Sequence, residues 1–211
     1  YAYYNRGRAY DLLENLENAH ADYSKAIDLK LENANLYYYR GVIDFRNKEY
    51  DGAISDFTLA INLKPDFTYA YHDRGSARRK IENYEAAIED YNKAIQLDPR
   101  MSIAYNNLGS VKRAKGDYKE AIEEYSLAIK MDSTMHLAFN NRGFARYKDK
   151  DFEGAVKDYK KAIEIKDDYL YAYNNLGTAL IKLHKYPEAI EYLTQAIEMD
   201  AEYRSEEHTS E

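Results

Sequence analysis

Apolar positions in this chain recur at three- and four-residue spacing rather than alternating, which is the helical period. In YKEAIEEYSLAIKM, the residues Tyr118, Ala121, Ile122, Tyr125, Ala128 and Ile129 share one face of a helix. The stretch before it, AYNNLGSVKRA, reads as a first helix, and KGD as the turn that folds one helix back on the other. The same design returns along the chain. Gly7, Gly41, Gly75, Gly109, Gly143 and Gly177 stand 34 residues apart. Twelve residues after each comes Ala19, Ala53, Ala87, Ala121, Ala155 or Ala189. Nineteen after comes Ala26, Ala60, Ala94, Ala128, Ala162 or Ala196, always followed by Ile. Four before comes an aromatic: Tyr3, Tyr37, Tyr71, Tyr105, Phe139 or Tyr173. Six copies in one register predict an array of six helix pairs.

The small residues have a packing reason. Gly in a helix interior costs about 1 kcal/mol against Ala. Keeping it in six helices implies that its missing side chain lets the partner helix approach. Tyr23, Phe57, Tyr91, Tyr125 and Tyr159 are the side chains expected beside that contact. Pro65 and Pro99 follow second helices, where Pro stops a helix, and Pro187 opens one, where its missing N–H is harmless.

The set aromatic, Gly, aromatic, Ala, aromatic, Ala, as in YNNLG…YKEAIEEYSLAI, resembles the tetratricopeptide repeat (TPR) family from Tyr1 to about Tyr203. The resemblance implies an all-α, right-handed superhelical solenoid of six antiparallel helix pairs. The repeats run at about 1–33, 34–67, 68–101, 102–135, 136–169 and 170–203. It also implies a concave groove lined by the first helices. Repeat one departs from the pattern with Leu16 and His20, so its second helix is expected to start differently.

Composition narrows the function. The 211 residues are 45% apolar but hold no run long enough to span a bilayer, so no membrane insertion is expected. The net charge of −7 argues against nucleic acid, which needs Lys and Arg for its phosphates. There is no Cys, which excludes disulfides and thiolate sites without fixing the compartment; a cytoplasmic place is the default. His20, His72, His136, His184 and His208 include no pair at i,i+4, so no helical zinc motif exists. With no phosphate loop and no nucleophile motif, no cofactor, metal or catalysis is expected within these residues.

Candidate binding chemistry lies on the first helices. The stripe that the family resemblance turns toward the groove carries Arg8, Arg46, Arg79, Lys80, Arg113, Lys148 and Lys182, against only Asp11 and Asp73. A basic groove on an acidic chain would steer an acidic partner. The same residues also fit ordinary solubilising positions at a rim, and charge alone leaves both readings open. Asn107, Asn141 and Asn175, preceded by Asn106, Asn140 and Asn174, align as a ladder of amides. An amide donates and accepts, so a ladder could hold a peptide backbone, as in some peptide-binding TPR superhelices. Hydrogen bonding between repeats would use the same groups. Tyr4, Tyr38, Tyr39, Tyr69 and Tyr171 also fall on the stripe and suit a binding surface, with packing the alternative for Tyr38 and Tyr69. The stripe lacks the Lys three residues before Gly used by TPR domains that grip chaperone C-termini, so that ligand is not expected.

A further pattern is structural. Arg6, Arg40, Arg74 and Arg142 precede their Gly, and Asp22, Asp56, Asp90 and Asp158 follow each Arg by sixteen residues. Where Leu108 and Leu176 replace Arg, Glu124 and Tyr192 replace Asp. Arg–Asp ion pairs are predicted. The terminal RSEEHTSE belongs to no repeat position. It translates codons resembling a sequencing adaptor, so residues 204–211 are expected to be a non-native or disordered tail on a fragment. An uncapped last repeat is expected to expose Ile190, Leu193 and Ile197 and could self-associate. The chain thus reads as a non-catalytic scaffold for an extended or helical peptide, with a targeting arm of a larger enzyme, such as a glycosyltransferase, as the alternative.

Overall fold

The computed structural model describes residues Tyr1 to Thr209, with side chains as far as Asp200. The contacts fall into two compact units, Tyr1–Arg100 and Met101–Glu211. The first unit holds α1 (Ala2–Leu12), α2 (Leu16–Asp28), α3 (Ala34–Arg46), α4 (Tyr50–Leu63), α5 (Thr68–Lys80) and α6 (Tyr84–Leu97). The second holds α7 (Ser102–Lys115), α8 (Tyr118–Met131), α9 (His136–Lys148), α10 (Phe152–Ile165), α11 (Leu170–Lys182) and α12 (Tyr186–Thr209). No strand occurs among the described residues, and the fold is an all-α solenoid. The stretch 204–211 set apart in the sequence continues α12 as far as Thr209; Ser210 and Glu211 lie outside the described residues.

Each odd-numbered helix folds back on the next through a turn whose sharpest residue is left-handed. These residues are Glu14, Lys48, Glu82, Gly116, Lys150 and His184, again 34 apart. Only Gly116 adopts that backbone without steric penalty. The expectation that repeat one begins its second helix elsewhere is corrected. Helix α2 starts at Leu16, in register with Tyr50, Tyr84, Tyr118, Phe152 and Tyr186. The Asn15 side chain accepts from the Asn18 N–H and fixes that start without an aromatic.

The recurring Gly is a docking point for the residue sixteen positions on. A Cβ at Gly7, Gly75, Gly109 or Gly143 would lie 2.8, 3.2, 2.9 or 2.7 Å from the ring of Tyr23, Tyr91, Tyr125 or Tyr159. At Gly41 it would lie 3.0 Å from Phe57, and at Gly177 2.4 Å from Leu193. Those tyrosines and Phe57 are fully buried, packed between alanines that are themselves sealed off. Leu193 is therefore half-buried rather than part of an open face, correcting its place in the exposed set; Ile190 and Ile197 are exposed.

The predicted ion pairs are present and mostly bidentate. Arg6 Nε and Nη2 donate to Asp22 at 2.7 and 2.8 Å, and Arg40 to Asp56 at the same distances. Arg74 meets Asp90 at 3.0 and 2.7 Å, and Arg142 meets Asp158 at 2.9 and 2.6 Å. Planar guanidinium suits a two-oxygen acceptor, and all four carboxylates are buried. Asp90 and Asp158 gain a second cation, Arg78 at 2.8 Å and Arg146 at 2.9 Å. In repeat four, which has Leu108, Lys112 takes Glu124 instead, at 2.5 Å.

The remaining guanidinium nitrogen ties one repeat to the one before. Nη1 of Arg40, Arg74 and Arg142 donates to Ser24, Thr58 and Ser126 at 3.2, 3.0 and 3.0 Å. The sequence keeps the pairing: the repeats with Leu108 and Leu176 follow Asn92 and Lys160 at the hydroxyl position. Each Arg is thus a three-way connector of its own helix, its partner helix and the preceding repeat.

Candidate functional site

Neighbouring first helices touch one another, α3 with α5, α7 with α9 and α9 with α11, whereas no comparable contact joins neighbouring second helices among the described residues. First helices therefore line the inner side of each unit. The stripe of residues one, four and five places after each Gly, with those two and three places before, faces that side.

Two hollows open on this side, one per unit. In the first unit Val42, Phe45, Arg46, Phe57, Asp73 and Ser76 line an open hollow of about 250 Å³. In the second unit Phe144, Tyr147, Lys148, Tyr159, Asn175 and Thr178 line a smaller open hollow of about 80 Å³. Every lining residue of the second lies 102 positions, three repeats, after its counterpart in the first. The floor is an aromatic that docks on the repeat Gly; the walls are apolar residues of one first helix. The mouth carries one cation and one polar side chain of the next helix. In the first unit that pair is Arg46 and Asp73, and in the second Lys148 and Asn175. Cation–π contacts lie on the same stripe in each unit. Arg8 lies 3.9 Å from the centre of the Tyr39 ring, and Arg113 lies 5.0 Å from that of Phe144.

The asparagine ladder is built into the repeat junctions. Asn141 Nδ2 donates to Asn106 Oδ1 at 3.0 Å, and Asn175 Nδ2 donates to Asn140 Oδ1 at 3.0 Å. Asn106 also donates to Asn107 Oδ1 at 3.3 Å. Asn106 and Asn140 are buried, whereas Asn107, Asn141 and Asn175 are half-buried, and Asn174 is exposed with a long bond to the Leu170 carbonyl. The equivalent junction in the first unit uses Tyr38, whose hydroxyl donates to Asp73 Oδ2 at 2.7 Å. That ring packs on Phe57 and Phe67, so Tyr38 is a packing residue more than a groove residue. Burial first, then the Asp73 charge, pushes its hydroxyl pKa well above the ordinary value. Asp73 also meets His72 Nδ1 at 2.8 Å.

Other stripe residues remain available. Tyr69 and Tyr171, equivalent positions at the start of α5 and α11, are exposed. Lys148 and Lys182 are exposed, and Arg79 and Arg113 are half-buried, each with a buried Nε lacking a partner. The inner stripe of the second unit holds Arg113, Lys148 and Lys182 and no acidic residue. The hollows themselves were missed in the sequence. Their signal is the 102-residue echo of Phe45 and Arg46 in Tyr147 and Lys148. No cluster of His, Asp and Glu suited to a metal exists among the described residues, and no described helix is long and apolar enough to cross a membrane.

Stacked helix pairs with a periodic inner face define an α-solenoid of the kind that serves as a protein-interaction scaffold. The chain belongs to the tetratricopeptide repeat family, whose profiles match residues 2–66, 72–136 and 134–202. Such repeats are typically non-catalytic. No curated protein matches the chain in sequence. Among solved structures, YrrB, described as a TPR protein with an unusual peptide-binding site, is 25% identical. That match covers 81% of this chain and 88% of YrrB, with a TM-score of 0.69. The C-terminal part of a TPR repeat-containing protein from Cytophaga hutchinsonii is 21% identical over 94% of this chain and 79% of that one, with a TM-score of 0.79. MamA from Desulfovibrio magneticus RS-1 is 18% identical over 80% and 96%, with a TM-score of 0.73.

Proposed function

We propose that each unit binds an extended protein segment along its first helices, seating an apolar or aromatic side chain of that segment in the hollow. The observation that carries this reading is the recurrence of one hollow, built from six equivalent positions, three repeats apart. Apolar walls favour an apolar side chain. In the second unit the cations Arg113, Lys148 and Lys182, with no acidic residue on the stripe, favour neighbouring carboxylates in the ligand. Asn175 keeps its carbonyl oxygen for the ligand backbone, since its bond to Asn140 uses only one amide hydrogen. The likeness to YrrB supports a peptide as the ligand class.

A peptide array tests this. Peptides carrying Phe or Leu between acidic residues are expected to bind better than the same peptides with Lys in place of the acids. Lys148→Glu should weaken the acidic set about tenfold at low salt, equal to ~1.4 kcal/mol. Thr178→Trp, which fills the hollow, should weaken both sets. Equal binding of acidic and basic peptides, unchanged by either substitution, refutes the proposal.

A further inference from the structure

Arg113 differs from the other arginines whose side chains are described in the second unit. Arg142 and Arg146 both hold Asp158, at 2.6 and 2.9 Å. Arg113 holds no carboxylate among the described residues, and its Nε is buried without a hydrogen bond. A buried donor left unpaired is costly, which favours a partner from outside the fold that brings an acceptor. The Arg113 guanidinium lies 5.0 Å from the centre of the Phe144 ring, and the Lys148 ammonium lies 5.4 Å from the same centre. Cations from two neighbouring first helices thus converge on one ring, and the stripe around them carries no acidic residue.

A hydroxyl is freed at the same place. Tyr91 and Tyr125 bond Ser76 and Ser110, one position after the Gly of their own repeats, at 3.1 and 3.2 Å. In repeat five Phe144 takes the Ser position. Tyr159, whose hydroxyl gains no such partner, lines the hollow with Lys148 and Asn175. Burial, then the Asp158 charge and Tyr147, raises the pKa of that hydroxyl, and the Arg113 charge opposes the rise. The hydroxyl therefore stays protonated, a donor within reach of the guanidinium's field. Asn175 gives one amide hydrogen to Asn140 and has a second to donate. Guanidinium, ammonium, phenol and amide thus present donors around one spot.

We propose, on the reading that the second unit binds an extended segment, that this cluster takes the phosphoryl group of a phosphoserine or phosphothreonine beside the residue seated in the hollow. A carboxylate carries a single charge and is satisfied by one guanidinium fork. A phosphoryl group carries about −1.5 to −2 charge near pH 7 and three acceptor oxygens, which suits a guanidinium, an ammonium and two neutral donors together. The first unit lacks this chemistry. Its hollow has Phe57, without a hydroxyl, in the place of Tyr159, and Asp73 in the place of Asn175. A dianion is repelled there, so the second unit is the one that reads the phosphate.

Fluorescence anisotropy on the whole chain tests this with one peptide in three forms, carrying Ser, Glu or phosphoserine at either flank of a central Phe. The phosphoserine form is expected to bind about tenfold tighter than the Glu form, and the Glu form tighter than the Ser form. Arg113→Gln, Lys148→Gln and Tyr159→Phe should each shrink the preference for phosphoserine over Ser several-fold. Phe57 shows that a bare ring fits the place of Tyr159, and Lys148 is exposed, so both variants keep the fold. Asn175→Asp, which copies the first unit, should abolish the preference. Inorganic phosphate should displace the phosphopeptide only in large molar excess. Phosphoserine binding no tighter than Glu, while acidic peptides still bind better than basic ones, overturns the phosphate subsite and leaves the groove reading standing. A preference untouched by all the substitutions overturns it too, by placing the phosphate elsewhere. Displacement by equimolar inorganic phosphate replaces the peptide ligand with a free anion and refutes the assignment. No binding by any form sinks the groove reading itself, and the subsite with it.

Discussion

Asp56 is 2% exposed, and the only cation bonded to its carboxylate among the described residues is Arg40. Replacing Arg40 by Leu strands a buried charge, and breaking a buried pair in this way costs about 3–5 kcal/mol. Asp90 differs, because Arg78 at 2.8 Å stays when Arg74 is removed. Arg74→Leu should therefore lose only about 1–2 kcal/mol, the scale of charged hydrogen bonds replaced in part. The chain also contains the compensated version. In repeat six Leu176 replaces the Arg, Tyr192 replaces the Asp, and Lys160 on the preceding repeat lies 5.7 Å from the centre of the Tyr192 ring. Leu176 is fully buried there, and Tyr192 packs on Tyr173, whose counterpart in repeat two is Tyr37. The triple change Ser24→Lys, Arg40→Leu and Asp56→Tyr transplants that junction. It should recover all but about 1 kcal/mol of the single-mutant loss, since buried ion pairs exchange for packed apolar groups near neutrality. Urea unfolding followed by far-UV circular dichroism measures the three variants. If Arg40→Leu loses no more than Arg74→Leu, or the triple variant is as unstable as Arg40→Leu alone, the account of these pairs is wrong.

Lys150 has a φ of 69°, so Lys150→Gly should stabilise the second unit by about 0.5–1 kcal/mol, after offsetting glycine's greater unfolded-state entropy, read as a raised urea midpoint. Gly143→Val should destabilise by about 2–3 kcal/mol, because the first carbon already meets the Tyr159 ring at 2.7 Å; a midpoint equal to wild type refutes the close approach. The pKa of Asp44 is raised by burial first, with His20 at 3.0 Å opposing and Asp56 reinforcing the shift. A raised carboxyl pKa means that the folded state binds more protons than the unfolded one between the ordinary value of 3.8 and the shifted one. This group's contribution to stability therefore falls as pH rises through that window. Asp44→Asn should accordingly raise the melting temperature more at about pH 7.5 than at about pH 4, and an equal change at both sinks the assignment.

Much of the fold was legible because the repeat constrains it six times over. The Gly, the aromatic sixteen residues later and the Arg–Asp couple each recur at fixed offsets, and one register satisfies them all. The candidate site was legible only as a stripe. Amide spacing alone could not tell whether Asn106 and Asn140 face a ligand or the next repeat; burial decides, and both accept across repeat junctions. Tyr38 was ambiguous for the same reason, since its hydroxyl and ring both find partners inside the protein. The hollows escaped notice because a void is made by what is absent. Val42 leaves space where Arg8, its counterpart in repeat one, lies over the Tyr39 ring, and that depends on the direction of long side chains rather than on spacing.

The same logic governs how the repeats stack on one another. A repeat protein is held together by nearest-neighbour junctions, so the chemistry at each junction sets which repeats can follow one another. This chain writes two junction types. Arg follows Ser or Thr at Arg40, Arg74 and Arg142, and Leu follows Asn or Lys at Leu108 and Leu176. A wrong pairing would set a guanidinium against the Lys160 ammonium, or a Leu against a hydroxyl, so the code disfavours slipped stacking within the array. Ser126→Lys should therefore lower the urea midpoint, because it sets an ammonium against the Arg142 guanidinium, and adding Arg142→Leu should recover part of the loss, because that couple reproduces Lys160 with Leu176. If Arg142→Leu brings no recovery in the Ser126→Lys background while the chain remains folded, hydroxyl and cation at this position are not a junction code, and apolar packing alone governs the stacking.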